Sequence, residues 1–249
     1  LPAAKGVRLR GQVSELDWVA WQAALKPYAG AARADAQQVF KDAQLKIGRL
    51  TGFGSTVDDL AIQLKRAPAA WSLNLDSQLL KGRVDLPDAG ATPIAVNLEY
   101  LRLPAAAAKE AVVEGAVVED KPDPLLGVDP RQIPALDLRI AQVRQGTEAL
   151  GAWSLKARPN ATGVQFNDLN LDLKGLQLTG SAGWQGTAEA SSSWYKGRMQ
   201  GKDLSDVLLA WKFAPTASSE SFHLDVDGRW PGSPAWLATK RFSGTLDAS

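Results

Sequence analysis

No cysteine occurs among the 249 residues, which removes disulfides, thiolate metal sites and cysteine nucleophiles together. Histidine is almost as scarce: His223 is the single one, so any histidine-based serine or metal mechanism would rest on that residue alone. An excess of charge of one sign is missing too. Lys and Arg number 28 against 27 Asp and Glu, a formal net charge of +1. They are spread along the chain with no basic stripe of the kind a polyanion needs, so no nucleic-acid partner is expected. No run approaches the roughly 18 apolar residues of a membrane-spanning helix. The elbow pattern G-x-S-x-G and the phosphate loop G-x-x-x-x-G-K-[ST] are both absent.

What is present is alternation. Hydrophobic residues make up 45% of the chain, enough for a sizeable core. They recur at every second position in Leu60, Ile62, Leu64; Trp71, Leu73, Leu75; Ile94, Val96, Leu98; Leu136, Leu138, Ile140; Leu169, Leu171, Leu173; and Phe222, Leu224, Val226. The residues between are mostly Asn, Asp, Gln, Lys and Arg, the signature of antiparallel strands with one apolar and one wet face. Within that pattern a glycine repeatedly takes the central inward place: Leu9/Gly11/Val13, Leu80/Gly82/Val84, Leu178/Gly180/Ala182, Tyr195/Gly197/Met199 and Phe242/Gly244/Leu246. A closed core wants volume there, whereas a sheet that curls, or keeps its concave side clear, wants that volume missing.

Two segments break the alternation. After Ser14, with Asp17 three residues on, helical spacing predicts a helix over about 14–26, ending before Pro27; a second short helix fits about 203–213. Leu45-Lys46-Ile47, Leu64-Lys65 and Leu80-Lys81-Gly82 reappear in order as Leu138-Arg139-Ile140, Leu155-Lys156 and Leu173-Lys174-Gly175, which reads as an internal repeat. The division expected is a first β unit over 1–103, an alanine- and proline-rich linker or insertion over 104–135, and a second β unit over 136–249. The chain opens on Leu1 and stops within strand-like alternation, so we read it as a section of something longer, any anchor or export signal lying outside it.

Candidate chemistry is thin. Alternation puts His223 on the solvent side together with Asp225 and Asp227. Asp225-Val226-Asp227-Gly228 begins like a calcium loop, but Arg229 and Trp236 stand where ligands belong, so a hairpin turn is the expectation; Asp58-Asp59 reads as a turn as well. No catalytic residue, metal ligand or cofactor is expected. Nine tryptophans are many for this length, and the phases of Trp71 and Trp153 put both on the apolar side.

The strings Asp129-Pro130-Arg131-Gln132-Ile133-Pro134-Ala135-Leu136-Asp137-Leu138 and Phe222-His223-Leu224-Asp225-Val226-Asp227-Gly228-Arg229-Trp230-Pro231-Gly232, with the helix openings at Gly11 and Gly201, resemble the large AsmA-like envelope proteins of Gram-negative bacteria. The resemblance runs over nearly the whole chain. It implies a periplasmic protein held to the inner membrane by a helix outside this section, and a long antiparallel sheet curled into a U-shaped groove. The concave face would carry phospholipid toward the outer membrane, with neighbouring groove repeats as partners. The inward positions expected to touch acyl chains are Leu60, Ile62, Leu64, Trp71, Leu73, Leu75, Gly82, Val84, Val96 and Leu98 in the first half. In the second they are Leu136, Leu138, Ile140, Phe166, Leu169, Leu171, Leu173, Leu178 and Gly180. The competing reading is a structural or glycan-binding β-sandwich in which the same faces pack on each other.

Overall fold

The computed structural model describes residues 7–17, 20, 40–52, 55–88, 90, 92–103, 123, 125–203, 205–207, 221–236 and 243–248. The chain divides into two compact units, Leu1–Arg102 and Leu103–Ser249. In the first, the alternating segments become β1 (Val7–Asp17), β2 (Phe40–Gly52), β3 (Ser55–Ala67), β4 (Ala70–Asp76), β5 (Leu80–Pro87) and β6 (Ile94–Leu103). In the second they become β7 (Leu136–Gln145), β8 (Glu148–Asn160), β9 (Gly163–Leu173), β10 (Leu176–Gly186), β11 (Ser191–Gly201), β12 (Phe222–Pro231) and β13 (Ser243–Ala248).

Within each unit, strands adjacent in sequence are adjacent in the sheet, and the first and last do not pair to close a barrel. The fold is mainly β, as expected, but the sheet is mixed rather than purely antiparallel, because β1 and β2 run parallel. Residues 18–39 separate them, a connection long enough for the crossover a parallel pair requires. The expected helix over 14–26 is corrected at its start: Ser14 to Asp17 finish β1, and the Asp17 carboxylate accepts the Ala20 N–H at 3.0 Å. Ala20 is helical; the rest of 18–26 lies outside the described residues. Of the second helix, residues 205–207 are helical, opened by Asp203 Oδ1, which accepts from Ser205 N at 2.8 Å; 208–213 lie outside the described residues.

Two expected turns are strand instead. Asp225 to Gly228 sit in the middle of β12, where Arg198 holds Asp225 at 2.8 Å and Lys196 holds Asp227 at 3.0 Å. Cross-strand pairing supplies what a turn would otherwise give these carboxylates. Asp58-Asp59 lies within β3, with Asp59 at φ +50° and Asp58 paired to Arg49 at 2.9 Å.

Two of the three sequence matches fall on strands in the same order. Leu45-Lys46-Ile47 and Leu64-Lys65 fall on β2 and β3, and their counterparts fall on the consecutive strands β7 and β8. The third match fails: Leu80 opens β5, whereas Lys174-Gly175 is the turn between β9 and β10. Continuing the strand count, β5 corresponds to β10, and each carries a positive-φ glycine at a register shift, Gly82 and Gly180.

In the second unit the core sits on one face of the sheet. Leu169, Ala182, Tyr195, Val226 and Trp230 form one buried cluster, and Ala157, Val164 and Trp184 a second. Tyr195 is 5% exposed; its hydroxyl donates to the Thr179 carbonyl at 2.8 Å, with the Arg198 carbonyl 3.2 Å away. Burial pushes that hydroxyl up to about 12, so it is a neutral donor at physiological pH. Tyr195→Phe keeps the ring and removes the bond between β11 and β10; denaturant titration is expected to show a loss of about 0.5–1.5 kcal/mol.

Candidate functional site: one apolar face per unit

Strand register lines the inward residues into rows that run from strand to strand. In the first unit one row is Leu9, Ala43, Leu64, Leu73, Val84 and Val96, and the next is Gly11, Leu45, Ile62, Leu75, Gly82 and Leu98. A third, Val13, Ile47 and Leu60, spans β1 to β3. At an interstrand spacing of about 4.8 Å, six strands give roughly 24 Å of unbroken apolar surface. Trp71 stands at its rim, opposite Arg66 and Leu86. The Arg66 guanidinium lies 5.1 Å from the indole centroid and is clasped by Asp88 at 2.6 and 2.5 Å, so the rim is both aromatic and charged.

Four rows cross the second unit. Ile140, Trp153, Leu171, Leu178, Met199 and Leu224 pair in sequence from β7 to β12. Beside them Leu138 pairs Leu155, while Leu169, Gly180, Gly197 and Val226 continue from β9 to β12. The third row is Leu136, Ala157, Phe166, Ala182, Tyr195 and Gly228, and the fourth Pro159, Val164, Trp184, Ser193 and Trp230. Leu173 pairs Leu176 beyond the first row. Every inward position expected from alternation therefore lies on one of two in-register faces, one per unit. The sequence reading did not place the fourth row on this face.

Burial grades across the second face. Most of the first row is half-buried, whereas Ala157 and Val164 are 0% and 2% exposed. The difference is a strap. Residues 125–135, placed by the sequence in a linker, lie over β8–β10, with Leu125 and Ile133 packed on Ala157, Val164 and Trp184. Asp123 pins its start, accepting from Ser233 N at 2.7 Å and Ser233 Oγ at 2.6 Å, and Gly127 N donates to the Ala188 carbonyl at 3.2 Å.

The glycines work differently from the expectation that they clear the concave side. A Cβ on Gly82 would lie 2.6 Å from Leu98 Cα and against the Asn97 carbonyl oxygen; one on Gly180 would lie 2.6 Å from Gly197 Cα and against the Lys196 carbonyl oxygen. The missing atom admits the neighbouring strand's backbone, at a bulge that bends the strand. Gly11 alone keeps the expected character, with Leu45 Cδ2 at 3.7 Å as its nearest neighbour.

The opposite face is polar and charge-paired. His223 falls in the row Asp172, Gln177, Gln200, His223, on the side alternation assigned to it, beside a cavity of about 820 Å³ also lined by Lys174, Lys202 and Asp206. Among the described residues no three His, Asp or Glu side chains gather as a metal site requires. Ion pairs hold Asp88, Asp168 and Asp225 below the usual carboxylate range through hydrogen bonds from Arg66, Lys156 and Arg198. A depressed carboxyl stabilises the fold above its unfolded value and loses that contribution as pH falls through the folded one. Thermal stability is therefore expected to stay level down to about pH 4 and to decline below it.

Each unit is thus a sheet of the class that offers one extended apolar face, continuous from strand to strand, and carries ion pairs on the other. The whole chain, residues 1–249, matches the family model described as YhdP protein, and it belongs to that family. No curated protein and no solved structure matches it.

Proposed function

We propose that this chain is a section of a bridge-like lipid-transfer protein of the Gram-negative envelope, and that its apolar faces, curled as a groove, carry phospholipid acyl chains across the periplasm. Membership of the YhdP family and the continuity of the rows support this. The row from Ile140 to Leu224 carries the reading, since it runs through six consecutive strands without a charged residue. A lipid leaving a bilayer exposes methylenes at about 0.8 kcal/mol each, so sixteen of them cost on the order of 12 kcal/mol unless another apolar surface replaces the bilayer. Continuity therefore counts for more than any single side chain, and carriage needs no catalytic group. Periplasmic location and an inner-membrane anchor elsewhere in the full protein follow from the same reading; among the described residues no helix is long and apolar enough to span a membrane.

A sandwich would need a second sheet on the same face. Among the described residues of the second unit, the segment packed there is the strap, which favours the carrier. The test is a photo-crosslinking amino acid at Met199 in cells, with mass spectrometry of the adduct. Phospholipid adducts are expected at Met199 and absent from a probe at Arg198 on the polar face; adducts to protein alone at Met199 would reject the carrier.

A further inference from the structure

Trp184 occupies the fourth row, between Val164 and Ser193, and is 2% exposed. Its indole Nε1–H is the one buried side-chain polar atom among the described residues without a hydrogen-bond partner. Nearby indoles on the same face are satisfied: Trp153 Nε1 donates to the Asp172 carbonyl at 3.0 Å and Trp230 Nε1 to the Ser233 carbonyl at 3.0 Å. A donor left unmade in a dry interior keeps its full desolvation cost, and a native structure that retains one points to a missing acceptor.

The surroundings narrow what that acceptor is. Trp184 clusters with Ala157 and Val164, and Leu125, Ile133, Leu136, Leu155 and Phe166 pack against that cluster; the hydroxyl beside it in register, Ser193 Oγ, donates to the Gly232 carbonyl at 2.8 Å and takes no hydrogen bond from the indole. An occupant must therefore be mostly methylene and carry one acceptor within its apolar length. The strap over the site is pinned at Asp123 and Gly127, while its covering contacts, Leu125 and Ile133, are apolar packing that an alkyl chain can replace in kind.

Building on the carrier reading, we propose that the floor beneath the strap is a holding site for a diacyl glycerophospholipid, in which Leu125 and Ile133 give way to an acyl chain and Trp184 Nε1–H donates to its ester carbonyl oxygen. The site separates ester lipids from their ether counterparts, which have the same chains and headgroup but no carbonyl.

The test uses the full chain and two probes in detergent-free exchange from donor vesicles: dioleoyl phosphatidylethanolamine and its di-O-oleyl ether analogue. The expected result is a preference for the ester of about three- to tenfold, the worth of one buried hydrogen bond, abolished in Trp184→Phe, whose uptake of the ester falls to that of the ether. Equal uptake of the two by the unaltered chain overturns the proposal, as does a preference that survives in Trp184→Phe; the latter would give the indole to a buried water. Uptake of neither lipid by the unaltered chain would instead reject the carrier reading on which the proposal rests.

Discussion

Gly180→Ala is expected to lower stability by about 3–5 kcal/mol, a fall in melting temperature on the order of 10 °C for a chain of this size. Two separate penalties combine. Gly180 sits at φ +142°, a region that L side chains rarely enter. A Cβ there would also press on the Lys196 carbonyl and lie 2.6 Å from Gly197 Cα, and neither is the end of a flexible side chain that can swing away. Gly82 repeats the situation at φ +156°, so Gly82→Ala belongs with it. Gly11→Ala is the control: its Cβ meets only Leu45 Cδ2, at 3.7 Å, and the change is expected to stay within about 0.5 kcal/mol. Thermal melts followed by far-ultraviolet circular dichroism decide the matter. A Gly180→Ala protein as stable as the parent would mean that the close approach of β10 and β11 is not required by the fold.

That contrast bears on what was legible in the sequence. Alternation located the strands and the apolar side, because side-chain direction along a strand depends only on parity. It could not distinguish a glycine that leaves space over the face from one that lets a neighbouring backbone approach, since that depends on which strand lies alongside and in what register. Parity also fails at bulges. Phe166 and Leu169 differ in parity yet share the apolar face, because the β9–β10 register shifts there, opposite Gly180 to Ala182, with Asp168 at φ +51°. Past that shift β9 continues in the phase of Phe166, which brings Val164 to the face, while Trp184 keeps the parity of Leu178, Gly180 and Ala182 on β10.

Two other features were hidden for different reasons. The parallel pairing of β1 with β2 is a long-range choice that local pattern does not encode. The strap is rich in proline and short of alternation, so it reads as linker; what holds it down is a contact from Asp123 to Ser233, far apart in sequence. Asp225 and Asp227 were misread for the opposite reason. Their composition suggests a turn, but Arg198 and Lys196 on the adjacent strand make them good strand residues.

The graded burial of the second face leads to the other large expected effect. A carboxylate introduced at Val164 or Ala182, 2% and 7% exposed, enters packed core beneath or beside the strap with nothing to pair it, and is expected to cost more than about 4 kcal/mol and prevent folding. The same change at Leu178 or Met199, half-buried in the uncovered row, leaves the charge within reach of water, and the loss should be about 1–2 kcal/mol. Leu138, Ile62 and Leu73, half-buried on the same kind of row, are expected to behave like Leu178. Stability and transport should therefore separate: Leu178→Asp and Met199→Asp stay folded by circular dichroism but lose most of their vesicle-to-vesicle lipid exchange, because one charge interrupts a path that works only when continuous. If Leu178→Asp and Met199→Asp fail to fold as Val164→Asp does, the uncovered row is closed core as well, and the lipid path must lie elsewhere. If they fold and exchange lipid at the parental rate, the row is open surface but not the path.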